Sequence, residues 1–155
     1  MLRRVLIYLY ELLILSKNRQ VFMIIYKESA PAAQEYHELF VSTGWTRVIQ
    51  VSADDLMTAI NNSWCWISAY KDNKLVGVGR VISDGLLYAL ICDLIVLPAN
   101  QKHGVGGGIL SRLTKKCKEA GIKRVWLFAA PGASLFCQRN GFVARPTNAP
   151  GMQLI

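Results

Sequence analysis

Gln101-Lys102-His103-Gly104-Val105-Gly106-Gly107-Gly108 follows an apolar run at residues 86–97 and precedes an amphipathic helical pattern, so it links a strand to a helix through a glycine-rich turn. Glycine at 104, 106, 107 and 108 lets the backbone approach a ligand closely. A helix opening at about Gly107 would aim its unpaired N–H groups and its positive dipole end at one point. The expected guest is a phosphate or pyrophosphate. Two nucleotide readings fail on the neighbouring residues. A P-loop requires Gly-Lys-Ser or Gly-Lys-Thr, which the chain lacks, and a dinucleotide fingerprint started at Gly104 would need glycine where Ile109 stands. Basic Lys123 and Arg124 occupy the place of the ribose-binding acid that such a fingerprint also requires.

Gln101, Gly104 and Gly106 satisfy Q/R-x-x-G-x-G/A, and here the chain resembles the GNAT acyltransferases (GCN5-related N-acetyltransferases), whose members bind the acetyl-CoA pyrophosphate on this turn. The preceding Asp93-Leu94-Ile95-Val96-Leu97-Pro98 and the later Asn140-Gly141-Phe142 match the family in type and spacing. The resemblance runs from about Met23 to Leu154. Ser42-Thr43-Gly44-Trp45, Leu75-Val76-Gly77, Arg80-Val81-Ile82-Ser83-Asp84-Gly85 and Ala149-Pro150-Gly151-Met152 look like a subgroup of small prokaryotic members. The fold this implies is α/β (α+β): a mixed, mostly antiparallel sheet of six to seven strands flanked by about four helices, with the cofactor cleft between splayed central parallel strands.

A chain of 155 residues makes one domain and buries about two thirds of its unfolded surface, so no disulfide or metal is needed to hold it. Cys65, Cys92, Cys117 and Cys137 form no C-x-x-C pair, and the two histidines, His37 and His103, lie far from metal-ligand spacing. Four reduced thiols, no metal and a cytoplasmic setting are expected. The net charge of +8 is spread unevenly. Residues 1–20 hold Arg3, Arg4, Lys17 and Arg19 against Glu11, while Lys115, Lys116, Lys118, Lys123 and Arg124 gather beside the glycine turn. A polyphosphate cofactor explains that gathering as well as DNA would, and a solvated helix face explains it too; no nucleic-acid motif with interleaved aromatics is present.

Residues 5–15 are apolar except for Glu11, yet as a helix they would span only about 16 Å, half of a bilayer core. Ser16-Lys17-Asn18-Arg19-Gln20 offers no signal-peptide cleavage site. The division expected is an apolar and basic extension at 1–20 and a GNAT-like acetyltransferase domain at 21–155. An interfacial or partner-binding helix is the alternative reading of the extension.

Along the domain, strands are expected at residues 21–27, 64–70, 75–82, 86–97 and 125–129, with closing strands at 142–143 and 152–155. Asp72-Asn73 should turn the second strand into the third, and Asp84-Gly85 should close a type I′ hairpin onto the fourth. Helices are expected from Pro31 to Gly44, from a cap at Ser52 or Asp54 to about Ile60, after the glycine turn to Gly121, and from about Ala133 to Asn140. A right-handed crossover should set residues 125–129 parallel to residues 86–97. Trp64, Trp66 and Tyr70 alternate as one packed sheet face. Trp45 and Arg47 could line an acceptor pocket or belong to the core, and Tyr88 points toward the acceptor side.

Carried over from the resemblance, Leu94, Ile95 and Val96 offer backbone to the pantetheine arm. Gln101, Lys102, His103, Gly104, Val105, Gly106 and Gly107 form the pyrophosphate turn. The amine attacks the thioester directly, so a base or a water chain must take its proton and a donor must protonate the leaving thiolate. The strand glutamate of many members falls on Cys92 or Leu90, neither a carboxylate. Neighbouring Asp93 is the catalytic candidate, although alternation points it to the opposite face unless a bulge re-aims it; a strand aspartate that fixes the adjoining loop is the other reading. The family's thiolate-protonating tyrosine falls on Cys137, a thiol donor or a small buried hydrophobe. The leading expectation is acetyl transfer from acetyl-CoA to a primary amine of a small molecule, with a peptide or charged tRNA as other acceptors and a homodimer left open. The second is an acyl-CoA-binding regulatory module with little or no turnover. The third is a basic nucleic-acid or membrane-surface binder.

Overall fold

The computed structural model describes residues 23–45 and 49–154. The expectations for residues 1–20, for the start of the first strand at 21–22 and for Arg47 therefore fall outside the described residues. Five strands stand in sequence order: β1 (Ile25–Lys27), β2 (Cys65–Lys71), β3 (Lys74–Ser83), β4 (Tyr88–Val96) and β5 (Arg124–Leu127). Every pairing is antiparallel except β4 with β5, which is parallel. The helices are α1 (Ala33–Val41), α2 (Ala53–Asn61), α3 (Val105–Glu119) and α4 (Ser134–Arg139), so the α/β class and the mixed sheet hold.

The sheet has five described strands rather than six or seven. Residues 142–143 and 152–154 form no strand, and residue 155 lies outside the described residues. Pro146 and Pro150 in the intervening segment lack the N–H that a sheet ladder needs.

Local chemistry explains most element ends. Ser52 and Asp55 form a reciprocal cap on α2: Ser52 Oγ accepts from the Asp55 amide at 3.1 Å, and Asp55 Oδ2 accepts from the Ser52 amide at 2.7 Å. Asp72 and Asn73 both have positive φ, 49° and 61°, so the two-residue I′-type connection joins β2 to β3. The expected Asp84-Gly85 hairpin is instead the longer connection 84–87. Asp84 Oδ1 accepts from the amides of Leu86, Leu87 and Tyr88, gathering three backbone donors that a two-residue turn would leave to the ladder.

Two cores lie on opposite faces of the sheet. Ile109, Leu110, Leu113 and Cys117 of α3 pack with Ile67, Val81 and Ile91. Tyr36, Leu39 and Phe40 of α1 pack with Leu56, Trp66, Val78 and Ile95. Ile109, Leu110 and Leu113 are fully buried, and cutting any of them to alanine would cost about 2–5 kcal/mol. Trp64 departs from the expected single aromatic face: it precedes β2 and packs against the α3 core, whereas Trp66 and Tyr70 belong to the α1 core. No helix among the described residues is long and apolar enough to cross a membrane.

Candidate functional site

β4 leads through a 3-10 turn at Pro98–Asn100 into the glycine-rich turn and then into α3, whose N-cap is Gly104. The helix starts at Val105, two residues earlier than the sequence pattern suggests. Lys102 and Gly104 both take positive φ, 63° and 81°, which reverses the chain tightly enough to point the helix N-terminus back at the end of β4. The Gly108 amide makes the first intrahelical bond, to the Gly104 carbonyl at 2.9 Å, so the amides of Val105, Gly106 and Gly107 precede the ladder. Together with the helix dipole they form an anion-directed set of donors.

The glycines divide by physical need. Gly104 is required by its left-handed φ. A Cβ on Gly108 would lie 2.1 Å from the Tyr26 hydroxyl, so this glycine admits the Tyr26 ring, which Arg112 covers at 3.8 Å. Gly106 and Gly107 answer to neither need: a Cβ there would meet protein atoms no closer than 3.5 and 3.8 Å. The packing around them therefore does not itself require glycine. Val105 is buried in the α3 core and can contribute only its amide, while Lys102 and His103 are exposed. Gln101 Nε2 donates to the Val96 carbonyl at 3.0 Å and fastens the turn to the strand.

β5 pairs with β4 only from Tyr88 to Ile91, so β4 runs on to Val96 without that neighbour and the two parallel strands part. Leu94, Ile95, Val96 and Gln101 line a groove of about 320 Å³ with Ser42, Thr43, Trp45 and Pro98. Trp45 packs edge-on against Phe40 at 6.1 Å, as the core reading expects, and also lines this groove. A larger hollow of about 730 Å³ lies beyond β5, bounded by Val125, Leu127, Phe142, Asn140 and Cys137 among others. Cys137 is 8 % exposed, and burial raises its thiol pKa, which keeps it protonated. The cavity around Cys137 and the groove around residues 94–96 are separately lined. Phe136 on the same short helix bridges them, 3.5 Å from the position of a Gly106 Cβ, which also lies 3.6 Å from Val96.

Asp93 lies at a bulge. Val78 pairs with Ile95 and Arg80 with Cys92, so Asp93 and Leu94 together oppose Gly79, and Asp93 takes φ 49°. The bulge re-aims Asp93 onto the α1 face, where its Oδ2 accepts from Tyr36 Oη at 2.6 Å and Arg80 Nε at 2.5 Å. Arg80 Nη1 also donates to Ser63 Oγ at 3.1 Å. Burial works against the Arg80 charge, but its bond to Asp93 and the carboxylate charge outweigh that, leaving its pKa above the usual value. Burial, then the Asp93 charge, raises the Tyr36 phenol as well. Cys92 is pushed up to about 11 by burial, against the pull of Arg80. Sequence reasoning missed Arg80 and Tyr36. The signal available was a lone arginine in the apolar interior of β3, a position that demands a buried acid. Among the described residues no group of three His, Cys, Asp or Glu side chains could hold a metal ion.

A family model described as "Acetyltransferase (GNAT) family" matches residues 25–142. The chain is 29% identical over 133 residues to an "uncharacterized N-acetyltransferase ycf52-like" protein of Prochlorococcus marinus, covering 85% of this chain and 74% of that one. A probable acetyltransferase of meticillin-resistant Staphylococcus aureus has the same fold, with a TM-score of 0.74 at 23% identity over 86% of this chain and 99% of that one. A Clostridium acetobutylicum protein described as a "predicted acetyltransferase with acetyl-CoA" matches with a TM-score of 0.64 at 15% identity, covering 86% and 96% of the two chains.

Proposed function

This chain belongs to the acetyltransferase (GNAT) family, and from that premise we propose that it transfers an acetyl group from acetyl-CoA to a primary amine of a small molecule. The observation that carries the reading is one unbroken stretch of chain. The groove backbone at residues 94–96 runs, through a turn fastened by Gln101, to the open amides of Val105, Gly106 and Gly107. The first part suits an amide-bearing arm and the second a pyrophosphate. The acetyl-CoA carried by the Clostridium neighbour supports the choice of donor.

In the proposed reaction a neutral amine attacks the acetyl carbonyl carbon, an N–C bond forms, and the C–S bond breaks. The amine proton passes to solvent or a base, and the leaving thiolate takes a proton. No enzyme nucleophile is required. The amide row at the helix N-terminus holds the phosphates, and the Cys137 thiol, kept protonated by burial, is the proposed donor to the thiolate in a pose that carries the thioester past Phe136 from the groove to the Cys137 cavity. Residues 21–155 form the acting unit in this reading.

A second reading, acyl-CoA binding with little or no turnover, is favoured by one specific observation: the carboxylate nearest the expected base position is already engaged by Arg80 and Tyr36. Calorimetric titration with acetyl-CoA, followed by CoA-thiol release across a panel of amines, separates the two. Binding with amine-dependent release supports transfer, binding without release supports the second reading, and absence of binding refutes both.

A further inference from the structure

The bulge that directs β4 into the groove is held from two sides, by a helix and by the neighbouring strand. Asp93 takes left-handed backbone, which favours glycine and, after it, asparagine and aspartate, so the bulge depends on the surroundings that hold this residue there. Those surroundings are specific. Tyr36 comes from α1, is 0% exposed, and is wedged edge-on against Trp66 at 5.1 Å and Phe40 at 6.1 Å. Arg80 comes from β3, with its guanidinium 5.8 Å from the centre of the Trp66 ring and bonded to Ser63, which lies between α2 and β2. Both donors converge on Asp93 Oδ2, and the Arg80 and Asp93 side chains are each only 15% exposed. The next three residues, Leu94, Ile95 and Val96, line the groove.

We propose that Arg80 and Tyr36 are positioning residues for the transfer reaction: acting through Asp93, they hold the β4 bulge and so set the direction in which the backbone of residues 94–96 meets the acyl donor. The inference rests on the acetyl-CoA reading above. It assigns Asp93 a mechanical role in place of proton abstraction, because its Oδ2 accepts two hydrogen bonds, one from a guanidinium, that tie the bulge to α1 and to β3. The arrangement explains why a charge stands in the apolar interior of β3: a paired guanidinium reaches around the bulge and grips the residue that alternation would have turned away.

The test uses the full chain with Arg80→Ala, Asp93→Ala, the double variant, Arg80→Lys and Tyr36→Phe. Five quantities are measured: acetyl-CoA affinity, kcat, KM, melting temperature, and amide hydrogen exchange over residues 92–97. Losing a charged hydrogen bond should weaken acetyl-CoA binding about tenfold in either alanine variant and speed exchange over 92–97 by a similar factor. The double variant should regain melting temperature over the singles, since no buried charge is left unpaired, yet remain weak in affinity because nothing holds the bulge. Arg80→Lys should recover part of the affinity. Tyr36→Phe preserves the ring packing and guards against a loss that is only unfolding; it should weaken binding about threefold.

Three results would overturn the inference: affinity and exchange within twofold of the parent in every variant, a double variant that regains affinity along with melting temperature, or a loss confined to kcat in Asp93→Ala with Arg80→Ala at the parental rate. A parent that binds no acetyl-CoA refutes the transfer reading instead. The exchange measurement then still decides whether the network holds the bulge.

Discussion

Replacing Gly104 separates backbone conformation from side-chain size. Its φ of 81° with ψ of −4° is costly for any L side chain, yet a Cβ built there meets no atom within 4 Å. Alanine should therefore lose about 1–2 kcal/mol to left-handed strain, offset by about 0.4–1 kcal/mol from a stiffer unfolded chain. Valine, β-branched, should lose more. The strain relaxes most easily by rotating the link into Val105, which tilts the amides of residues 105–107 away from their common target. One charge-assisted hydrogen bond is worth about 1.5–3 kcal/mol, so losing the aim of a single amide weakens acetyl-CoA binding by about ten- to a hundredfold. Asparagine tolerates left-handed backbone better than alanine does and is larger. Affinity measured by calorimetry, with melting temperature recorded on the same samples, should fall in the order glycine, asparagine, alanine, valine, with valine more than tenfold below the parent. Asparagine binding as poorly as valine would show that volume rather than φ matters. Folded variants that all bind like the parent would remove the pyrophosphate from this turn.

Gly79→Ala should destabilise the fold by about 1–3 kcal/mol in a denaturant titration, because its Cβ would sit 2.8 Å from both Ile109 and Leu113 of α3, opposite the bulge. Deleting residues 1–20 should leave acetyl-CoA affinity intact, since the family match begins at residue 25; a truncated protein that fails to fold or bind would place that segment within the domain. If Cys137 protonates the leaving thiolate, Cys137→Ala should lower kcat with little change in acetyl-CoA affinity, while Cys137→Tyr preserves or raises it; parental turnover in both would make the residue packing alone. Burial and Asp93 raise Tyr36 above its usual 10.0, so its contribution to stability is complete below that pH and is lost as pH rises toward the folded value. Melting temperatures recorded across that alkaline range should fall less steeply in Tyr36→Phe than in the parent, and parallel slopes would refute the assignment.

The difference between what was legible and what was not follows the range of the interactions. The glycine turn could be read from sequence because its decisive property, backbone able to take positive φ and to expose amides at a helix start, belongs to the residues themselves. The Ser52 cap, the Asp72-Asn73 turn and the helical stripe of Ile109, Leu110, Leu113 and Cys117 are local in the same sense. The Asp84-Gly85 connection misled because one carboxylate can gather three amides as readily as it can enter a hairpin turn. The closing strands misled because apolar composition does not supply a neighbouring strand, and the prolines between them remove donors.

Asp93 marks the boundary most sharply. Its sequence position announced a choice between alternation and a bulge, but the partners that settle its orientation come from 57 and 13 residues away, on a helix and on a neighbouring strand. The groove depends likewise on residues 42–45 coming to lie beside residues 94–96, a consequence of how α1 packs on the sheet rather than of residues 94–96 themselves. The sequence alone determined the glycine-rich strand-to-helix turn, through local backbone freedom, and the class of fold, through the motifs that carry the family resemblance. Only the tertiary structure decided that Tyr36 and Arg80 meet at Asp93 and that Cys137 faces a separate cavity, because contacts between distant segments arise only when the sheet and its helices have packed.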